Sequence, residues 1–250
     1  MDLPTAGDAV ERYFQSIQDL QRKIIKTQKE TLVQVATRMA ETIRRDRRIL
    51  TFGTGHSHML SEEGFFRAGG LAAVVPIFSS VLMLHENADI SSKLERTAGL
   101  AKLLLDAYEP LAGEMLFIFS NSGVNRLPVE MALEAKERGL FVVSISSLKY
   151  ARIAPLSDLE KRLDEIVDVS IDNGGEPGDA LLLVEGVRWR VGPSSTITGA
   201  LIWNSLVVEA VAQLAASGDE APVIASLNMQ GAEIHNQELL EKWRTVNPHL

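Results

Sequence analysis

Apolar residues fall at helical spacing near the start of the chain: Tyr13, Ile17, Leu20 and Ile24, then Leu32, Val35, Met39 and Ile43, in an otherwise polar stretch. A period of three to four residues predicts an amphipathic helix from Asp8 to about Arg48. Arg44, Arg45, Arg47 and Arg48 close this run, where a helix end carries partial negative charge, and the expectation is a solvated basic terminus.

Beyond Arg48 the pattern changes to short apolar runs alternating with amphipathic stretches. Residues 49–53, 72–77, 115–120, 140–146 and 166–172 read as five buried strands. Residues 57–67, 91–108 and 128–138 read as helices between them. Strands apolar on both faces and separated by helices predict a parallel sheet covered on both sides, a three-layer α/β fold. Residues 172–180 are turn-rich, 180–192 read as a hairpin turning at Glu185-Gly186, and 195–216 as an apolar helix. A strand-like run (222–227) and a polar helix (231–244) close the chain. No repeat or linker interrupts it, so we expect one domain: residues 1–48 as an N-terminal helical arm and 49–250 as the α/β body.

Composition narrows the function classes. With 25 Lys+Arg against 33 Asp+Glu, the formal charge is −8. An acidic surface repels a phosphate backbone, so nucleic acid is not expected as a partner. There is no cysteine, which excludes disulfides, thiolate metal sites and a Cys nucleophile. The apolar runs read as too short to cross a bilayer, and the first residues lack a basic segment followed by an apolar one. A cytoplasmic protein without membrane partners is expected.

Candidate chemistry sits in two loops. The first predicted strand ends in Gly53-Thr54-Gly55-His56-Ser57 and runs into a helix, and the third ends in Ser120-Asn121-Ser122-Gly123. Glycine permits close backbone approach, hydroxyls and amides supply donors without charge, and a helix N-terminus favours an anion. Neither loop is a Walker loop, and His58 stands where a dinucleotide fingerprint needs its third glycine. Taken alone, the first loop also reads as a glycine-rich turn that makes room for packing, and the second as an N-cap cluster for the following helix. In a sheet of order 2-1-3-4-5, however, strands one and three diverge at the switch point, so both loops face one crevice. That placement points to a phosphorylated small molecule.

GTGHSHMLSEEGFFRAGGL, LMLHENA, SNSGVNRLPVEMALEAKERGL, IDNGGEPGDA, VGPSSTITGALIWN and GAEIHNQELLEKW together resemble the SIS (sugar isomerase) domain family, within it a phosphosugar-binding branch similar to phosphoheptose isomerases. The resemblance implies a flavodoxin-like α/β/α sandwich around a five-stranded parallel sheet and binding of a sugar phosphate. A homo-oligomer, dimer or tetramer, is expected because the helix over 195–216 is apolar nearly all round and the N-terminal arm has more apolar positions than it can cover alone. The segment 148–162 departs from it, being short and lacking a Ser-rich stretch. Carried over, Gly55, Ser57, Ser120, Asn121, Ser122, Gly123 and Asn125 match the phosphate loops. Ser194, Ser195 and Thr196 are further candidates for phosphate or sugar hydroxyls, or else ordinary helix caps.

Aldose–ketose isomerisation needs a base to move a proton between carbons and an acid to open the ring. The family commonly uses Glu and His for this work, and the catalytic candidates here are His56, Glu62, Glu63 and His235, the last expected to complete a neighbour's pocket. His58, His85 and Glu86 fall in matching segments too. The leading expectation is a phosphosugar isomerase, with an etherase-like lyase and a non-catalytic sugar-phosphate sensor as alternatives. Phosphoheptose isomerases use zinc, but a lone i, i+4 pair such as His58 and Glu62 is no metal site, and no metal or other cofactor is expected. Asp172, Asn173 and Asp179 lack EF-hand spacing and read as a capped turn.

Overall fold

The computed structural model describes residues 7–250. Helix α1 (Ala9–Arg44) leads into a five-stranded sheet of β1 (Ile49–Gly53), β2 (Val74–Pro76), β3 (Met115–Phe119), β4 (Phe141–Ser146) and β5 (Val169–Asp172). All pairings are parallel and the order is β2-β1-β3-β4-β5. In β3 every residue is buried and successive side chains serve opposite faces. Met115, Phe117 and Phe119 join one apolar cluster, and Leu116 and Ile118 the other.

The first cluster packs the sheet against α1, α2 (His58–Gly64), α7 (Ser195–Ala216) and α8 (Ala232–Arg244). Trp203 of α7 lies at its centre, edge-on to Phe117 with ring centroids 5.1 Å apart. From Ile24 onward α1 is part of this core. The second cluster covers the other face with α4 (Leu100–Tyr108) and α5 (Arg126–Glu137). The short helices α3 (Ala88–Leu94) and α6 (Leu148–Ile153) and an antiparallel hairpin of β6 (Ala180–Leu182) and β7 (Val191–Pro193) complete the chain.

Four expectations are corrected. The helix expected over 91–108 is two helices: α3 stops at Leu94, and α4 starts afresh after Gly99, whose φ of +80° cannot belong to a right-handed helix. The run 222–227 is no strand. It meets residues 69–72, ahead of β2, through an isolated antiparallel bridge, Leu71 to Val223, and Ile224 joins the first apolar cluster. The basic end of α1 is not wholly solvated: Arg48 is 7% exposed and ion-paired with Glu114 at 2.7 Å. Finally, α7 is long and apolar enough to cross a bilayer, yet Ile202, Trp203, Leu206, Ala210 and Leu214 are buried in the core.

Candidate functional site

Strands β1 and β3 lie side by side at the centre of the sheet and their following loops emerge at the same edge. A narrow cleft opens there, lined by His56, Ser57, Leu60, Ser120, Asn121, Ile145, Asn173, Ser195 and Thr196. Gly53 is required at its base. A Cβ at that position would stand 2.6 Å from the Ser57 carbonyl carbon and 2.9 Å from the His58 nitrogen. Ser57 N–H donates to Thr54 O at 2.9 Å, closing the turn. The Thr54 hydroxyl in turn donates to the Glu95 carboxylate beyond α3, which anchors the loop.

On the β3 side, Ser120 Oγ accepts from Gly123 N–H at 3.3 Å, and Gly123 takes φ +63°. Asn121 is tied to the loop after β5: Asn173 Nδ2 donates to Asn121 Oδ1 at 2.9 Å, and Gly175 N–H donates to Asn173 Oδ1 at 2.9 Å. Ser147 N–H donates to Asn121 O at 2.9 Å and Ser147 Oγ to Gly175 O at 2.7 Å. The loops after β3, β4 and β5 are therefore one bonded unit.

The predicted site residues divide clearly. His56, Ser57, Ser120, Asn121, Ser195 and Thr196 meet at the cleft. Gly55, Ser122, Gly123 and Asn125 belong to the same loops without lining it. Ser194 is fully buried, and its N–H and hydroxyl both donate to Asp179. Ser195 N–H and Oγ donate to the same carboxylate, each at 2.7 Å. Asp179 thus supplies negative charge at the start of α7, leaving Thr196 as the hydroxyl of that trio without a bond to it.

The acid–base candidates are more scattered. His56 is exposed at the cleft, and among the described residues it is the titratable side chain that lines it. His58 is buried, its Nδ1 bonded to Gly55 O and its Nε2 3.4 Å from the half-exposed Glu62. Glu63 turns towards α7, where Asn204 Nδ2 donates to it at 2.8 Å, and it pairs with Arg67. His235 does not line the cleft of its own chain. It borders a cavity of about 500 Å³ beyond the amino ends of the strands, with Arg44, Asp219, Glu238 and Trp243, and its Nε2 bonds Val223 O at 2.9 Å. Among the described residues no group of three or more His, Asp or Glu converges to hold a metal, so the side chains present do not fit a zinc centre. Asn173 was missed as a cleft residue. Its position directly after β5, at the edge where β1 and β3 end, was the available signal.

A family profile described as the SIS domain matches residues 12–147. The chain belongs to the SIS-domain family. It is 39% identical over 242 residues to the UPF0309 protein of Geobacillus thermodenitrificans, covering 96% of this chain and 97% of that one. It is 41% identical over 212 residues to a UPF0309 protein of Brucella canis, covering 85% and 86%. Among solved structures the SIS fold of a Francisella tularensis phosphoheptose isomerase superposes with TM-score 0.53 at 13% identity, covering 83% of this chain and 98% of that one. The Vibrio vulnificus NanR protein complexed with ManNAc-6P gives TM-score 0.51 at 14% identity, covering 98% and 71%. The sugar isomerase domain of a Sphaerobacter thermophilus RpiR transcription factor gives 0.51 at 12%, covering 97% and 99%.

Proposed function

We propose that this SIS-domain chain binds a phosphorylated sugar in the cleft over β1 and β3 and interconverts its aldose and ketose forms. The observation that carries the reading is the convergence of Ser57, Ser120, Asn121 and Thr196, with no Lys or Arg, on one cleft at the switch point of the sheet. Uncharged donors on rigid loops hold a phosphate dianion through hydrogen bonds strengthened by its charge. His56, the imidazole at the cleft, can both accept and donate a proton and is assigned the proton transfer, with Glu62 as the second group. Glu63, held by Asn204 and Arg67, is assigned to the support of α2 against α7.

A sensor is the second reading, favoured by the single titratable side chain among the described residues at the cleft. One experiment separates them. Each sugar phosphate that raises the melting temperature is incubated with the protein in D₂O and followed by mass spectrometry. An isomerase incorporates deuterium at a carbon, a lyase releases an eliminated product, and a bound sugar that shows neither supports the sensor. His56→Ala should lower deuterium incorporation at least about a hundredfold if His56 carries the proton.

The reading extends to self-association. Ile197, Leu201, Ser205, Val208 and Ala212 form one exposed stripe along α7, at spacings of three and four residues. Val208, 69% exposed, is its most open large side chain. Val208→Glu should convert a dimer or tetramer to a monomer in sedimentation. An assembly is also what would bring His235 to a cleft, that of a neighbour. Mixing inactive Ser120→Ala and His235→Ala chains tests this, since shared sites recover part of the activity. Full activity of His235→Ala alone removes His235 from the chemistry.

A further inference from the structure

We propose that Asn173 is a positioning residue: it holds the Asn121 amide with its NH₂ group turned to the cleft, so that the β3 loop offers an anion a neutral donor. The identity of the anion rests on the phosphosugar reading, whereas the orientation of the amide rests on bond polarity alone.

Gly175 N–H can donate and cannot accept. It donates to Asn173 Oδ1 at 2.9 Å, which fixes the oxygen end of that amide. The Asn173 NH₂ must then face the other way, and it donates to Asn121 Oδ1 at 2.9 Å. That engages the Asn121 oxygen and leaves Nδ2 as the free end. Asn121 Nδ2 bonds no described residue and is not among the buried atoms without a partner, so it is open to the cleft that Asn121 lines. An amide orientation has to be inferred from its hydrogen bonds, and here a backbone donor fixes the whole series.

The relay is built to keep its direction. Asn173 is 2% exposed and its N–H donates to Ser146 O at 2.9 Å. Gly175 is held from its other side by Ser147 Oγ. Gly175 also lets the backbone come close to the amide: a Cβ there would stand 3.0 Å from Asn173 Oδ1, tighter than most real contacts. Reversing the Asn121 amide would aim a carbonyl oxygen at the bound anion. The ligand chemistry that profits is an anion with several acceptor oxygens, such as a phosphate monoester.

Asn173→Asp separates this role from simple packing. The carboxylate still accepts from Gly175 N–H but has no proton to give, so the Asn121 amide turns over to donate to it. The measurement is hydrogen exchange of side-chain NH₂ groups by NMR on the ¹⁵N-labelled full chain, with titrations of inorganic phosphate and fructose 6-phosphate. In the native chain the Asn173 NH₂ should exchange at least about tenfold more slowly than that of Asn121. In Asn173→Asp the Asn121 NH₂ should become slow, and affinity for either ligand bound by the native chain should fall about ten- to a hundredfold. An Asn121 NH₂ already protected in the free native chain overturns the proposal, even if the variant does not fold. So does an Asn121 exchange rate unmoved by the substitution, or an affinity unmoved when the amide has turned. If the native chain binds neither ligand, the phosphosugar reading fails while the exchange rates still decide the orientation.

Discussion

At the carboxyl ends of β1 and β3 the polar groups are hydroxyls, amides and the His56 imidazole, several half-open to solvent, whereas at the amino end of the same strands two full charges are sealed in the interior. Arg48 and Glu114 are 7% and 1% exposed and meet at 2.7 and 2.8 Å. Arg48 also donates to Tyr108 O, Glu109 O and Val246 O, which fastens the end of α4 and the C-terminal tail to the start of the sheet. Glu114 accepts in addition from the N–H groups of Arg48 and Leu111. One end is saturated internally and so serves cohesion. The other keeps donors in reserve, which a ligand can use. The difference teaches that the charged end need not be the chemical end: a charge buried among its partners has little left to offer a ligand, and a neutral hydroxyl left open does.

Removing one partner of the buried pair should have the largest effect. Arg48→Ala leaves Glu114 uncompensated and several carbonyls without donors, a loss of about 3–5 kcal/mol. The melting temperature should fall by roughly 6–20 °C, while affinity at the cleft, measured by calorimetry below the new transition, should stay within about twofold of native. A joint Arg48→Met, Glu114→Leu exchange should recover most of the stability, because it removes both charges together. If the single change also abolishes binding in a still folded chain, the two ends are coupled and the division drawn above is wrong.

How well each end was legible in the sequence follows from the range of its interactions. The sheet was readable because each strand declares its own burial: Ile49, Leu50, Thr51 and Phe52 are each fully buried. The two loops were readable because their glycines and serines sit next to those strands. Arg48 was misjudged as part of a solvated basic helix end because its partner lies 66 residues away, and no local pattern announces such a pair. The same holds for Ser194 and Ser195. Their sequence position suits a ligand, but Asp179, brought beside them by the β6–β7 hairpin, already accepts their hydrogen bonds. Asn173 looked like a turn residue, and its donor role to Asn121, 52 positions earlier, exists only once β5 is placed beside β4. The break at Gly99 was the one local signal that the helical periodicity of its neighbours concealed.

Gly53→Ala sharpens the comparison from the cleft side, with a smaller effect on stability and a larger one on binding. The added methyl meets Ser57 and His58 backbone rather than a yielding side chain, so the turn has to move. Overpacking of this kind costs about 1–3 kcal/mol. Because Ser57 and His56 ride on that turn, affinity for a sugar phosphate should drop at least about tenfold by calorimetry, well beyond the effect of Arg48→Ala. A variant that keeps native affinity would show that the first loop does not contact the ligand.

The smallest effect expected concerns Tyr108, at the edge of the charged end, and it appears only in alkali. The phenol is 9% exposed, its oxygen accepting from Phe78 N–H at 2.8 Å and lying 2.8 Å from His249 Nε2 on the C-terminal tail. Burial raises its pKa above the ordinary value of 10.0, outweighing the opposite pull of the Phe78 hydrogen bond. The unfolded chain therefore releases this proton first as the pH rises. Stability from Tyr108 is fully present below about pH 10, and declines above it until the folded phenol ionises too. Tyr13, whose hydroxyl donates to Pro193 O, is raised in the same direction by burial and by Asp179, but it lies on α1 away from the tail. Urea midpoints at pH 8 and pH 10.5 should drop less for Tyr108→Phe than for the native chain, although the variant begins lower by about 0.5–1.5 kcal/mol for its lost hydrogen bonds. Equal drops in both proteins would mean that the tail is not held through a protonated phenol, and that the charged end is fastened by Arg48 without help from Tyr108.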